Sequence, residues 1–387
     1  MSIKLEHKEQ IDQLYKELTD ANESCIGYPL SKDFDYSSLY RFFKYSINNI
    51  GDPFEGSNIK TQTHVIEKEV VDFFGQLLGA NPNDYWGYVT HGGSESNLYS
   101  LYVARELYPN AIVYYSDATH YCVRKSIGLL NIEGIMIRTQ ENGEISYEDL
   151  ENTLKLHRSQ PAIIVSNFGT TMTEAKDDIS KIKNILKSLA MQDYHIHCDA
   201  ALAGAYGSFI TPRLPFDLSD GADSISISGH KFIGSPMPSG ILITKRSLRD
   251  RIAKKIPVID SIDTTIAGSR NGHSSLFLWY AIKNMGIEGL KNRYLHSLEV
   301  AEYCLEQLLA IGIDAWKLEG AITVVFPKIS DRLKSKWQLA TVENLTHIIC
   351  MPNVTKEQID SFINDVKNDE TFLKMAPTYR PNTCEAV

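Results

Sequence analysis

Six cysteines in 387 residues, none in a CxxC spacing, are too few and too scattered for a disulfide framework or a zinc knuckle. Cys25, Cys122, Cys198, Cys304, Cys350 and Cys384 therefore read as reduced thiols of a cytoplasmic protein. Long apolar runs are also missing. None approaches the roughly 18 residues that span a bilayer, and the opening MSIKLEHKEQ lacks the apolar stretch of a secretory leader, so no membrane is expected. Basic charge is scarce. Lys and Arg number 39 against 48 Asp and Glu, for a net −9, and form no stripe that would grip a phosphate backbone, which removes nucleic acid as an expected partner. There is no internal repeat or low-complexity segment. What is present, 43% hydrophobic and 22% charged residues with 24 Gly and 14 Pro, is the composition of a folded globular chain.

Periodicity divides the chain into three expected parts. Residues 1–60 hold a short amphipathic helix (Ile11, Leu14, Tyr15, Leu18) and a Gly/Pro/Asn-punctuated stretch, read as an arm packing on a dimer. Residues 61–285 open on a helix over Thr63 to Gly79. Short β-branched or aromatic runs then alternate with helical stretches: Ile112 to Tyr115, Ala162 to Ser166, Tyr194 to Cys198, Ser224 to Ile227 and Gly240 to Thr244. The stripe Ile182, Ile185, Leu186, Leu189 has the spacing of a crossover helix, so this part is expected to be α/β, a mostly parallel sheet covered on both faces. Residues 286–387 predict a small α+β domain with a helix over Leu295 to Leu309, strands over Ala321 to Phe326 and Leu345 to Cys350, a helix over Lys356 to Val366, and a loosely anchored last fifteen residues.

The chemistry concentrates where these strands end. In Ser226-Ile227-Ser228-Gly229-His230-Lys231 a strand runs into a turn carrying one lysine, and partial desolvation there lowers an amine's pKa and makes it nucleophilic toward a carbonyl. In His197-Cys198-Asp199-Ala200-Ala201 an acid ends a strand, pointing to the crevice where open α/β sheets bind ligands, and small residues after it leave room for something flat. Such a carboxylate suits the ring nitrogen of pyridoxal 5'-phosphate, with Ala201 against one ring face. Gly92-Gly93-Ser94 precedes a helix and is a candidate phosphate cradle, although the same turn also serves as a plain helix cap. Ser228 and His230 are further phosphate candidates. His120 follows a strand and is placed to stack on the other ring face, or to be an ordinary surface histidine; Thr170 and Thr171 also follow a strand, within reach of a ring hydroxyl or a substrate carboxylate.

The ordered set Gly-Gly-Ser-Glu-x-Asn, His120, Gly-Thr-Thr, His-x-Asp-Ala-Ala and Ser-x-His-Lys resembles the group II pyridoxal-phosphate-dependent amino-acid decarboxylases of the aspartate-aminotransferase-like fold type I, over nearly the whole chain. Gly27-Tyr28-Pro29, the run from Lys44 to Asn49, Trp86-Gly87-Tyr88-Val89-Thr90, the run from Gly268 to His273 and Ile322 to Pro327 resemble its bacterial histidine-decarboxylase branch. Ser94 and Ser96 depart from that branch, where Thr and Gly are expected; the hydroxyl at 94 is retained. The resemblance implies a seven-stranded-type sheet and a homodimer with shared active sites. It makes Lys231 the Schiff-base lysine, Asp199 the partner of the pyridine nitrogen and His120 the stacking residue, with Ser94, Ser228 and His230 holding phosphate and Ser269 reaching the neighbouring subunit's cofactor. The implied reaction is decarboxylation of L-histidine to histamine, with Tyr28, His120 and Thr171 toward the substrate; His120, Tyr28 and Lys231 all remain open as proton donor to Cα.

Three alternatives compete. A serine decarboxylase on the same scaffold differs by a few pocket residues that the sequence does not locate. A metal-dependent hydrolase rests on His195 and His197, which strand alternation puts on one face, without a second cluster of ligands. A relative that binds the cofactor without turnover would retain it while lacking chemistry, against which stands the intact set of Lys231, Asp199 and His120.

Overall fold

The computed structural model describes residues 5–369 of the chain. It divides into two compact units, one joining the chain through Leu30 to the stretch from His296 onward, the other running Ser31–Leu295. These limits differ from the expected boundaries at 60 and 285, because the arm is shared out by hydrogen bonds. Ile349 N–H donates to Ile26 O at 2.9 Å within the smaller unit, whereas Asn49 N–H donates to Arg270 O at 2.9 Å within the larger.

The smaller unit begins with α1 (Leu5–Glu23), whose stripe Ile11, Leu14, Tyr15 and Leu18 is more than half exposed. The larger unit carries α2 (His64–Leu77) and a seven-stranded sheet of β1 (Trp86–Thr90), β2 (Ile112–Ser116), β3 (Glu133–Ile137), β4 (Ala162–Asn167), β5 (Tyr194–Asp199), β6 (Ser224–Ser228) and β7 (Gly240–Thr244). The spatial order is β1-β7-β6-β5-β4-β2-β3, and only β7 runs against its neighbours. Helices α3 (Gly93–Leu107), α4 (Tyr121–Leu130), α5 (Tyr147–Leu156) and α6 (Ile179–Ser188) fill the crossovers. β4 is buried at every position, as its unbroken Ala-Ile-Ile-Val run requires of a strand covered on both faces. On α6 the buried Ile182, Ile185 and Leu186 confirm the crossover stripe, and Asp178 caps the helix by accepting from the amides of Ser180 and Lys181.

Two strands of the sheet escaped the sequence reading. β1 is Trp-Gly-Tyr-Val-Thr, without an aliphatic run, and only pairing with β7 makes it a buried strand. β3 is an edge strand with three of its five residues exposed. A four-residue α7 (Arg246–Arg249) and the short ribbon of β8 (Lys254–Ile256) and β9 (Ser261–Asp263) follow. The helix expected over Leu295 to Leu309 is the far end of a longer one, α8 (Gly272–Ala310), kinked at Gly286 with φ 60°.

In the smaller unit the two expected strands are joined by a third. β10 (Thr323–Pro327), β11 (Thr341–Val342) and β12 (Leu345–Ile349) form an antiparallel sheet in the order β10-β12-β11, with α9 (Asp331–Lys336) and α10 (Lys356–Lys367) beside it. The last fifteen residues lie outside the described residues. Among those described, no helix is long and apolar enough to cross a membrane.

One buried ion pair ties the arm to the sheet inside the larger unit. Glu67 on α2 pairs with Arg270, accepts the Val89 amide of β1 at 2.8 Å and takes the Asn49 side-chain amide at 2.8 Å, while Arg270 also donates to Gly51 O at 2.9 Å. Both residues are almost wholly buried. Arg270→Leu therefore strands a buried carboxylate and lowers stability by about 3–5 kcal/mol, measured by urea unfolding; a loss under about 1 kcal/mol would show the carboxylate to be accommodated without its cation.

Candidate active site

The carboxyl ends of β1, β2, β4, β5 and β6 surround a cavity of about 230 Å³, on the edge of the sheet where parallel strands deliver ligand-binding groups. Gly93, Ser94, His120, Thr170, Thr171, Asp199, Ala201, Ser228, His230 and Lys231 all line it. Two expected residues do not. Ser269 is exposed elsewhere in the larger unit, where it accepts from the Asn48 side chain at 3.1 Å. Tyr28 belongs to the smaller unit and is half exposed, while the lining comes from the larger unit alone.

The cradle is built by the turn from β1 into α3. Gly92 takes φ 142°, a value that L side chains rarely adopt, and α3 starts at Gly93 with no side-chain cap. Its first amides therefore have no partner within the helix and face an anion-sized gap. A Cβ on Gly93 would lie 3.0 Å from Ser228 Oγ and 3.5 Å from Ala201 Cβ, so a side chain there would take up the space between the two loops.

Across the gap, β6 runs into Gly229-His230-Lys231. The Gly229 amide donates to Ser239 O at 2.8 Å, and His230 Nδ1 lies 2.9 Å from the same carbonyl, which fixes the turn from two points. Burial holds the His230 imidazole below its ordinary pKa. The Lys231 amine has no hydrogen bond or ion pair among the described residues. Burial lowers its pKa, with the Asp199 charge opposing, and a larger fraction of the amine is neutral than on an exposed lysine.

Asp199 ends β5 and is 7% exposed. One carboxylate oxygen accepts from Asn97 Nδ2 at 2.6 Å and the other from the Ala201 amide at 3.2 Å. His120 caps α4: its Nδ1 accepts the Cys122 amide at 3.4 Å, which leaves the proton of the neutral ring on Nε2. Burial lowers the His120 pKa first, with Asp199 acting against it and Lys231 with it. Thr170 spends its hydroxyl on its own loop, accepting the Ala175 amide at 2.9 Å, whereas Thr171 is exposed at the rim.

His195 and His197 do share a face, but they are bridged by Ser224 Oγ at 3.0 and 2.9 Å. Among the described residues no group of three or more His, Cys, Asp or Glu could hold a metal ion. The sequence reading missed Asn97, Cys122 and Asn167 in the lining. Asn97 had a legible signal, since it stands one helical turn beyond Gly93 and so shares its face of α3. Cys122 and Asn167 carried none beyond their proximity to His120 and Thr170.

Residues 45–312 match the family model described as the pyridoxal-dependent decarboxylase conserved domain. The chain belongs to the pyridoxal-dependent decarboxylases. It is 44% identical over 361 residues to the histidine decarboxylase of Mesorhizobium japonicum, covering 93% of this chain and 98% of that protein. It is 41% identical over 372 residues to the histidine decarboxylase of Morganella morganii, covering 95% and 98%. Among solved structures, the L-methionine decarboxylase of Streptomyces sp. 590 in its internal aldimine form superposes with a TM-score of 0.88 at 24% identity, covering 96% of this chain and 97% of that one. The glutamate decarboxylase of Lactobacillus brevis gives 0.80 at 17% identity, covering 98% and 95%. These two likenesses establish the fold, a type I pyridoxal-enzyme architecture.

The decarboxylase cavity also fits pyridoxal phosphate on its own geometry. It offers an unpaired amine, a buried carboxylate with room beside it, and a glycine turn that a side chain at position 93 would fill.

His197 supplies a pH prediction. It is wholly buried, and burial lowers its pKa from 6.5 to about 4. The folded state thus keeps it neutral while the unfolded chain protonates it, so its contribution to stability is complete above pH 6.5 and is lost as pH falls toward about 4. The difference in thermal midpoint between wild type and His197→Gln should change across that window and stay constant above it; a constant difference throughout would place the ordinary histidine pKa in the fold.

Proposed function

We propose that this decarboxylase converts L-histidine to histamine and carbon dioxide, using pyridoxal phosphate held by Lys231, Asp199 and the Gly93 cradle. The observation that carries the substrate is identity above 40%, over nine-tenths or more of the chain, to proteins named histidine decarboxylase. When bound, the cofactor supplies an electron sink for the pair released as the Cα–carboxylate bond breaks.

The protein's own groups divide the remaining work. The Lys231 amine is the nucleophile that attaches the cofactor, and its depressed proton affinity supplies the neutral form. Asp199 would keep a proton on the pyridine nitrogen by offering a buried anion, and Ala201 and His120, which line the same cavity, would hold the ring. The amides of Gly93 and Ser94, with Ser228 and His230, bind the phosphate, while Thr170 and Thr171 border the substrate side. Among the proton carriers in the lining, His120 Nε2 and Lys231 Nζ are our candidates for delivering the proton to Cα.

We place the protein in the cytoplasm as a homodimer. Among the described residues Cys122, Cys198 and Cys304 are buried thiols outside any disulfide, which suits a reducing compartment. The open apolar stripe of α1 favours a second copy, to whose cofactor Ser269 would extend.

Asp199→Ala should retain bound cofactor through Lys231 and the phosphate cradle yet lose about a hundredfold to a thousandfold in kcat, a loss of the size seen when one strong electrostatic contact to developing charge is removed. Near wild-type turnover would refute the electron-sink role. Purified protein incubated with pyridoxal phosphate and a panel of L-amino acids should release histamine from histidine alone. Ethanolamine from serine would replace the substrate while leaving the site intact, and a bound chromophore without any amine would favour a relative that only binds the cofactor.

A further inference from the structure

Behind Asp199 lies a row of polar side chains, His195, Ser224 and His197, that the chemistry above does not use. Strand alternation puts His195, His197 and Asp199 of β5 on one face, and Ser224, Ser226 and Ser228 of β6 on the same face in register, His197 opposite Ser224 and Asp199 opposite Ser226. Helix α3 lays Asn97 over them. The contacts run in sequence: His195 Nε2 to Ser224 Oγ at 3.0 Å, Ser224 Oγ to His197 Nδ1 at 2.9 Å, His197 Nε2 to Asn97 Oδ1 at 2.9 Å, and Asn97 Nδ2 to Asp199 Oδ2 at 2.6 Å. Every member is buried, at 7% exposure or less.

The direction of each hydrogen bond follows from its end point. A carboxylate only accepts, so Asn97 presents its amide nitrogen to Asp199 and its oxygen to His197. That oxygen only accepts, so His197 carries its proton on Nε2 and leaves Nδ1 to accept from the Ser224 hydroxyl. Ser224 has then spent its proton, so His195 donates from Nε2, and its Nδ1, buried without a partner, is the unprotonated end of the row. Ser226 Oγ donates to the same Asn97 oxygen at 2.7 Å. All four bonds point their positive ends at Asp199, and aligned bonds in a low-dielectric interior strengthen one another.

We infer that Asn97 is a positioning residue for Asp199, and that the row His195–Ser224–His197 serves to lock the Asn97 amide in the one orientation that donates to the carboxylate. With the amide reversed, two oxygens would meet at hydrogen-bond distance, and the Asp199 carboxylate would lose both its bond and its fixed plane. The row thereby sets how well Asp199 holds a protonated ring nitrogen, through three buried side chains that stand behind Asn97 in the cavity lining. The pair that resembled metal ligands is instead the anchor of a carboxylate.

This rests on the reading that the cavity binds pyridoxal phosphate, and the test separates the two. Dissociation constants are measured for pyridoxal phosphate and for its carbocyclic analogue, in which C–H replaces the ring nitrogen, on wild type, Asn97→Ala, His197→Leu and His197→Gln. Wild type should prefer the natural cofactor. Asn97→Ala and His197→Leu should each lower that preference by about tenfold, the size of one lost hydrogen bond to a charged group. His197→Gln, which can donate toward Asn97 and accept from Ser224, should restore it. A merely structural role would weaken both ligands equally and leave the ratio unchanged, and that result, or His197→Gln behaving as His197→Leu, overturns the inference. If Asn97→Ala does not fold, the two His197 variants decide alone. Wild type failing to bind pyridoxal phosphate would remove the cofactor reading and this inference with it.

Discussion

A buried carboxylate and a partly buried amine face one cavity without forming an ion pair, and the rest of the larger unit is arranged around that constraint. Had Asp199 and Lys231 closed on each other, the amine would be a protonated cation and the carboxylate would be spent. Their separation is maintained by the sheet. β5 delivers Asp199 and β6 delivers Lys231 from neighbouring strands, and each is held by contacts of its own: Asn97 and the Ala201 amide for the acid, the doubly anchored Gly229-His230 turn for the lysine. Two groups that are each costly to leave unmatched in a low-dielectric space thus stay available for a ligand that matches both.

The glycine turn opposite completes that logic. The phosphate end of the cavity is defined by backbone rather than by charged side chains, and among the described residues no Lys or Arg other than Lys231 lines it. Under the proposed reading, anion binding there would rest on helix-start amides, hydroxyls and the His230 imidazole. Such a cradle has little freedom to rearrange, because its donors belong to α3 and to the β6 turn.

Much of this was legible because the five motifs sit at strand ends, where alternation and turn residues make both local structure and orientation readable. Asp199 and Lys231 carried their own signals: an acid ending a strand and followed by small residues, and a lone lysine in a Ser-Gly-His turn. What was hidden depends on partners distant in sequence. The part played by Asn97 appears only when α3 is laid across β5, joining residues 102 apart. The face shared by His195 and His197 was predicted correctly, but a metal and a serine are equally good explanations of two imidazoles on one face until β6 is placed beside them. β1 lacked an aliphatic run because its burial is imposed from outside, by β7 and α2.

The strand order carries a consequence for how the protein comes into being. β1 borders only β7 in the sheet, and β7 is the last of the seven strands to be made, with more than a hundred residues of chain between the two. A ribosome therefore releases the glycine turn long before the strand that will hold it in place exists, and the turn with Lys231 emerges between the two events. Sheet closure is a late, long-range step of the kind that slows folding and leaves apolar strands exposed while they wait. The glycine-turn wall of the cavity is fixed only when β7 lies between β1 and β6, whereas the walls from β2, β4, β5 and β6 adjoin one another without it.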